Sequence, residues 1–170
     1  RQRQMCIRDR AAAMAAVNLL EVPALTVGVP VLVVQTLQKS DASLGLVQAV
    51  LSAGGILGGV LAGTVFVRRP IRSGTPLLLA LSGVCAALGL ALRVSVLQFS
   101  SILVLGAVFM AVAALFNVWL FAQLQVLVPQ AQLGKTTACC TVLACLTQPI
   151  GQAAYGIAFQ HWAAHPADVL

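Results

Sequence analysis

Residues 97–128 read LQFSSILVLGAVFMAVAALFNVWLFAQLQVLV, and no Asp, Glu, Lys or Arg interrupts them. About 20 apolar residues in a helix cross a hydrocarbon core about 30 Å thick, so this run is long enough for one crossing. A strand of a membrane barrel would instead be a segment of about ten residues with alternating polarity. The run therefore reads as a transmembrane helix. Working outward, similar apolar stretches occupy residues 11–37, 43–67, 74–92 and 136–160.

Composition agrees. Of the 170 residues, 60% are hydrophobic and 8% are charged, and the mean hydropathy is +0.98. A soluble domain carries roughly 25% charged residues. Open sheets cannot span lipid, because their edges leave backbone groups unsatisfied. The expected fold class is thus all-α, a polytopic membrane helix bundle with five transmembrane helices.

The formal net charge of +6 points to the membrane rather than to nucleic acid. Arg1, Arg3, Arg8, Arg10, Arg68, Arg69 and Arg72 form two clusters flanking apolar spans, where the positive-inside rule puts basic residues. No basic patch with interleaved aromatics accompanies them. Counting alternate sides, Arg68, Arg69, Arg72 and Lys135 face Lys39 and Arg93. This excess puts the N-terminus in the cytoplasm of a multi-pass protein of the cell's inner (plasma) membrane. The first ten residues, RQRQMCIRDR, are similar to translated sequencing-adaptor read-through and are expected to be non-native or disordered. The chain is expected to be a fragment, and residues 161–170 an extramembrane tail.

Several features shape the spans. Pro23 and Pro30 fall inside the first and predict kinks, since each removes a backbone donor. Gly54, Gly55, Gly58, Gly59 and Gly63 of the second form small-xxx-small pairs that admit a close helix. The face of Gln48, Ser52, Gly55, Gly59 and Ala62 is the expected packing surface. Residues 129–135 read as a turn before the fifth span. Trp119 and Trp162 read as packing or interface anchors.

Glu21 is the one carboxylate deep inside an apolar span. It lies about 15 Å into the first helix, near the bilayer midplane. No Lys or Arg lies deep in any span to neutralise it, and desolvation disfavours its ionised form. A proton is the cheapest partner, so Glu21 is the candidate proton-coupling residue. Asn18, three residues earlier, shares its helix face, and that wall continues through Leu25 and Gly28. The structural alternative is a neutral Glu21 hydrogen-bonded to Asn18.

Thr137, Thr141, Cys145, Gln148, Gln152 and Tyr155 recur at spacings of four, four, three, four and three. At about 100° per residue they form one polar stripe along the fifth span, facing a cavity or the polar groups of another helix. Pro149 beside it is expected to open the helix. Asn117 is the polar residue well inside the fourth span. Cys139, Cys140 and Cys145 have no His, Met or carboxylate in the same run, and read as small hydrophobes rather than a metal site. No nucleophile-plus-base set appears, so neither enzymatic activity nor a cofactor is expected.

The order of these features resembles the C-terminal half of a major facilitator superfamily transporter, helices seven to eleven, most nearly the bacterial drug- and metabolite-exporting branches. The stretch Leu44-Gly45-Leu46, the glycines Gly54 to Gly63 and then Arg68, Arg69 and Arg72 are similar to the eighth helix and its cytoplasmic loop. Gln125, Val128-Pro129 and Gly134-Lys135 resemble the end of the tenth, and Pro149-Ile150-Gly151 with Gly156 the P-x-G…G pattern of the eleventh. Val67 and Pro70 depart from the loop motif, which favours Asp and Gly there, and Gln130 and Gln132 replace an acidic residue.

The resemblance implies five helices of a truncated six-helix half, working against a missing N-terminal half of the same chain. It implies a proton-coupled exporter of small organic molecules, with the lipid bilayer, a small-molecule substrate and protons as partners. Asn18, Asn117, Thr141, Gln148, Gln152 and Tyr155 would line the substrate cavity. Arg68, Arg69, Arg72 and Lys135 would gate the cytoplasmic loop. The alternative is a non-transporting membrane scaffold or sensor with the same helices.

Overall fold

The computed structural model describes residues 12–68, 73–93 and 98–161. Among the described residues all regular structure is helical, in five helices: α1 (Ala12–Thr36), α2 (Asp41–Arg68), α3 (Thr75–Ala91), α4 (Gln98–Leu127) and α5 (Gln130–His161). Three of them, α1, α2 over Asp41–Thr64, and α4, are long and apolar enough to cross a membrane. The 17 residues of α3 rise only about 25 Å. At 32 residues α5 is long enough, but its polar stripe dilutes its apolar character.

The helix ends follow from local chemistry. Gln38 turns the chain after α1 with a φ of 48°. The Ser40 hydroxyl then accepts the Ser43 N–H at 3.4 Å, an N-cap for α2, whose first turn carries Asp41. At the start of α3 the Ser73 hydroxyl accepts the Thr75 N–H at 3.3 Å, and Pro76 sits in the first turn, where a missing donor costs nothing. The turn expected over residues 129–135 shrinks to Val128 and Pro129. The Pro129 carbonyl accepts the Gln132 N–H at 2.8 Å, and α5 starts at Gln130. Proline is tolerated at such a boundary because its N–H would be unpaired there anyway. Pro149 does not open α5, which stays helical to His161.

The core is built on α2 and α4. Val47, Leu51, Gly54, Gly58 and Ala62 are the buried face of α2; of the expected packing surface Ala62 is buried and Gly55 half-buried, while Gln48, Ser52 and Gly59 are exposed. A Cβ on Gly54 would overlap the backbone of Ala107, and one on Gly58 that of Ala111. The offset is the same in both pairs, so α2 and α4 run parallel in direct backbone contact. Gly59 and Gly63, on the other face, meet only open space.

Helix α3 packs on α4 through Leu81 and Leu88. At one end of the bundle the Trp119 ring, stacked on Phe116 at 5.9 Å, lies where a Cβ on Gly74 would stand. At the other end Gln98 Nε2 donates to the Leu92 carbonyl at 2.8 Å, and Lys39 Nζ sits 5.8 Å from the centre of the Phe99 ring. Many outward-facing positions are apolar as well: Ile56, Leu57 and Val60 on α2, Leu79 and Leu90 on α3, Val104 and Val126 on α4 are all exposed. A water-soluble bundle would be polar there, so the surface is consistent with membrane association.

Candidate functional site

Helix α1 is not a regular α-helix. Two turns, Val17–Glu21 and Val31–Thr36, are π-helical, and the Val22 N–H reaches back five residues to the Val17 carbonyl. Pro23 explains the first of these. Proline offers no N–H to the carbonyl four residues earlier, and its ring crowds that carbonyl, so a widened turn relieves both. The second π turn follows Pro30, so the same argument does not reach it. Pro23 also withholds the usual donor from the Leu19 carbonyl, and α5 meets α1 at that group. A Cβ on Gly151 would overlap the Leu19 oxygen and approach the Pro23 ring. Beside it Gln152 Nε2 donates to Thr26 Oγ1 at 3.5 Å.

On its other side α1 borders a cavity of about 270 Å3. Val22, Leu25 and Thr26 of α1 form one wall, Gly55 of α2 a second, and Phe109, Met110, Ala113, Ala114 and Asn117 of α4 the third. Leu25, Phe109 and Ala113 are buried and make an apolar floor, whereas Thr26 and Asn117 are exposed and mark a polar mouth. Asn117 Nδ2 donates to the Ala113 carbonyl at 3.1 Å, spending one of its two N–H groups on its own helix. Gly55 leaves space in this wall: the nearest atom to a Cβ built there is Met110 Cε, at 4.0 Å.

The structure separates the residues that the sequence grouped. Asn117 lines the cavity. Asn18 does not; its Nδ2 donates to the Met14 carbonyl at 2.9 Å. Asn18 and Glu21 lie in and around a π turn, so face arithmetic at about 100° per residue does not carry across it. The Glu21 side chain lies outside the described positions. None of Thr141, Gln148, Gln152 and Tyr155 is a lining residue. Thr141 and Cys145 are exposed, with the Thr141 hydroxyl bonded to the Thr137 carbonyl at 3.0 Å, while Gln148, Gln152 and Tyr155 are half-buried. Lys135 is exposed in the second turn of α5. Arg69, Arg72 and the Arg68 side chain, like Trp162, lie outside the described residues.

Leu25, expected in a wall with Asn18 and Glu21, does line the cavity, but the apolar lining from α4 was overlooked, although a signal for it exists. Phe109, Ala113 and Asn117 recur every four residues, with Met110 and Ala114 beside them. Tracing the face of Asn117 back along its helix finds all of them. Among the described residues no group of three or more His, Cys, Asp or Glu comes together, and no charged side chain lines the cavity. Such a recess suits reversible binding of a small molecule, with one hydrogen bond at its mouth. Comparisons of the chain with known protein families, curated proteins and solved structures give no match.

Proposed function

We propose that this chain is part of a secondary active transporter that exports small organic molecules in exchange for protons by alternating access. The observation that carries the reading is the recess beside α1, with its apolar floor and a mouth bearing Thr26 and Asn117. Transporters bind substrate near the midplane against interrupted helices, and α1 is interrupted by a π turn that ends at Glu21. Glu21 carries the proton. It is the acid within the apolar part of α1, one residue before cavity-lining Val22.

In this reading all five helices cross the inner (plasma) membrane, with α3 and α5 held there by packing against their more apolar neighbours. The parallel course of α2 and α4 supports it, because α3 must then return between them. In this reading Lys39 and Arg93 lie at the extracytoplasmic end and Arg68 and Lys135 at the cytoplasmic one, with Arg69 and Arg72 of the sequence supplying the excess that sets the orientation. On this reading the five helices belong to the half of a major facilitator transporter which the sequence resembles, and a complementary half would supply the remaining wall of the pathway.

The test is Glu21→Gln in the full-length protein, read as efflux after a pH jump in proteoliposomes. Proton-driven efflux is lost while membrane insertion persists. Unchanged efflux removes Glu21 from the mechanism. If the unaltered protein moves no substrate in either direction, the chain belongs to a scaffold or sensor.

A further inference from the structure

We infer that the recess between α1, α2 and α4 binds an uncharged, ring-containing molecule of about two fused rings, held polar end outward, and that Gly55 sets its size limit. This deepens the transporter reading and rests on the recess being its substrate site. Three observations carry it. The first is volume: an apolar cavity of about 150 Å3 takes a benzene, and this one holds about 270 Å3. The second is the lining. Leu25, Phe109, Met110 and Ala113 line it with aromatic carbon, a polarisable thioether and aliphatic carbon, which suit an apolar body. No described side chain there would pair with a charge, and an unpaired charge in such surroundings is strongly disfavoured.

The third observation is that the two polar lining residues are exposed ones. Thr26 and Asn117, both exposed, stand at the mouth, while the floor beneath them is buried. Asn117 retains its carbonyl oxygen and one N–H for a ligand hydroxyl or carbonyl, because its recorded bond uses a single N–H. The ligand therefore enters apolar end first. Gly55 controls how large that end can be: a leucine side chain there would enter the space bounded by Met110, whereas Gly59, one turn along, faces open space.

The experiment measures equilibrium binding of radiolabelled 2-naphthol, uncharged at neutral pH, to the full chain in nanodiscs, with empty nanodiscs as the partition control. Naphthalene-2-sulfonate and 2-naphthylmethylammonium serve as charged matches. We expect saturable naphthol binding, weakened about tenfold or more by Gly55→Leu and unchanged by Gly59→Leu. The charged probes should bind about a hundredfold more weakly. Met110→Ala should admit a three-ring anthracene alcohol that the unaltered protein excludes, which keeps the test decisive if Gly55→Leu loses helicity. Naphthol uptake no greater than in empty nanodiscs, equal binding of a charged probe, or indifference to both cavity substitutions would overturn the assignment. Failure of the two readings is distinguishable. Saturable, Gly55-dependent binding without proton-driven flux sinks the transporter and leaves this site standing. Proton-driven flux of a charged compound, indifferent to Gly55→Leu, does the reverse.

Discussion

Gly151 of α5 lies against the carbonyl oxygen of Leu19, the group from which Pro23 withholds its usual helical donor. Two apparent weaknesses, a proline in α1 and a glycine in α5, thus meet at one point. The bare Cα of Gly151 lets the helices approach closely at this carbonyl, where a Cβ would overlap it. The Gln152–Thr26 bond lies at the next residue and ties this junction to the mouth of the cavity.

Substituting Gly151 should be costly even with alanine. Its Cβ would overlap Leu19 backbone, which cannot move aside as a flexible side-chain tip can. Gly151→Ala is expected to lower stability by about 1–3 kcal/mol, read as a lower midpoint of unfolding in mixed detergent. Gly156, whose Cβ would meet nothing, should tolerate the same change.

A parallel contrast holds within α2. Gly54→Ala and Gly58→Ala should each destabilise by about 1–3 kcal/mol, because their Cβ atoms would strike the Ala107 and Ala111 backbones. Gly59→Ala should be neutral or stabilising by up to about 1 kcal/mol through helix propensity alone. Equal effects at Gly58 and Gly59 would contradict the packing register.

The Gln152–Thr26 bond should be weak. Hydrogen bonds between membrane helices average about 0.6 kcal/mol by double-mutant cycles, and this one is long at 3.5 Å. A cycle of Gln152→Leu and Thr26→Val should return a coupling of no more than about 1 kcal/mol. A larger value would mean that the two side chains belong to a wider polar network.

Trp119 should matter far more than an interface anchor would. It is buried, stacked on Phe116 and lodged over Gly74. Trp119→Ala is expected to cost about 3–5 kcal/mol, the range for a buried aromatic truncated in a core. A loss under about 0.5 kcal/mol, typical of surface positions, would return it to the membrane interface.

Topology can be read chemically. In a background without native cysteines, cysteine at Lys39 or Arg93 should react with an impermeant maleimide added to intact cells. Cysteine at Lys135 should react only after permeabilisation. The reverse pattern would invert the orientation proposed from the basic residues.

Some of this was legible before any coordinates. Long runs without charge leave a backbone in lipid no choice but helix, so the helical class followed from composition and the helix positions from run length. Ser40, Ser73 and Pro76 act at helix starts through atoms of neighbouring residues, local devices that were not singled out from the sequence. The turn before α5 was misplaced because Pro129, Gln130, Gln132, Gly134 and Lys135 read as a loop, whereas all but Pro129 belong to the first turns of a helix.

What only the tertiary structure decided was which of several equivalent faces each helix uses. The glycines of α2 offered two rows, and the choice of Gly54 and Gly58 depended on where Ala107 and Ala111 lie, more than forty positions away in the chain. The polar stripe of α5 gave an angle but no neighbour, and its members divide between the junction with α1 and the exposed side. The π turn before Pro23 shifts every later residue of α1 relative to Asn18, which arithmetic at a fixed angle cannot anticipate. Sequence fixes local geometry through short-range atoms; a cavity is a relation among three helices, and it exists only once their backbones have met.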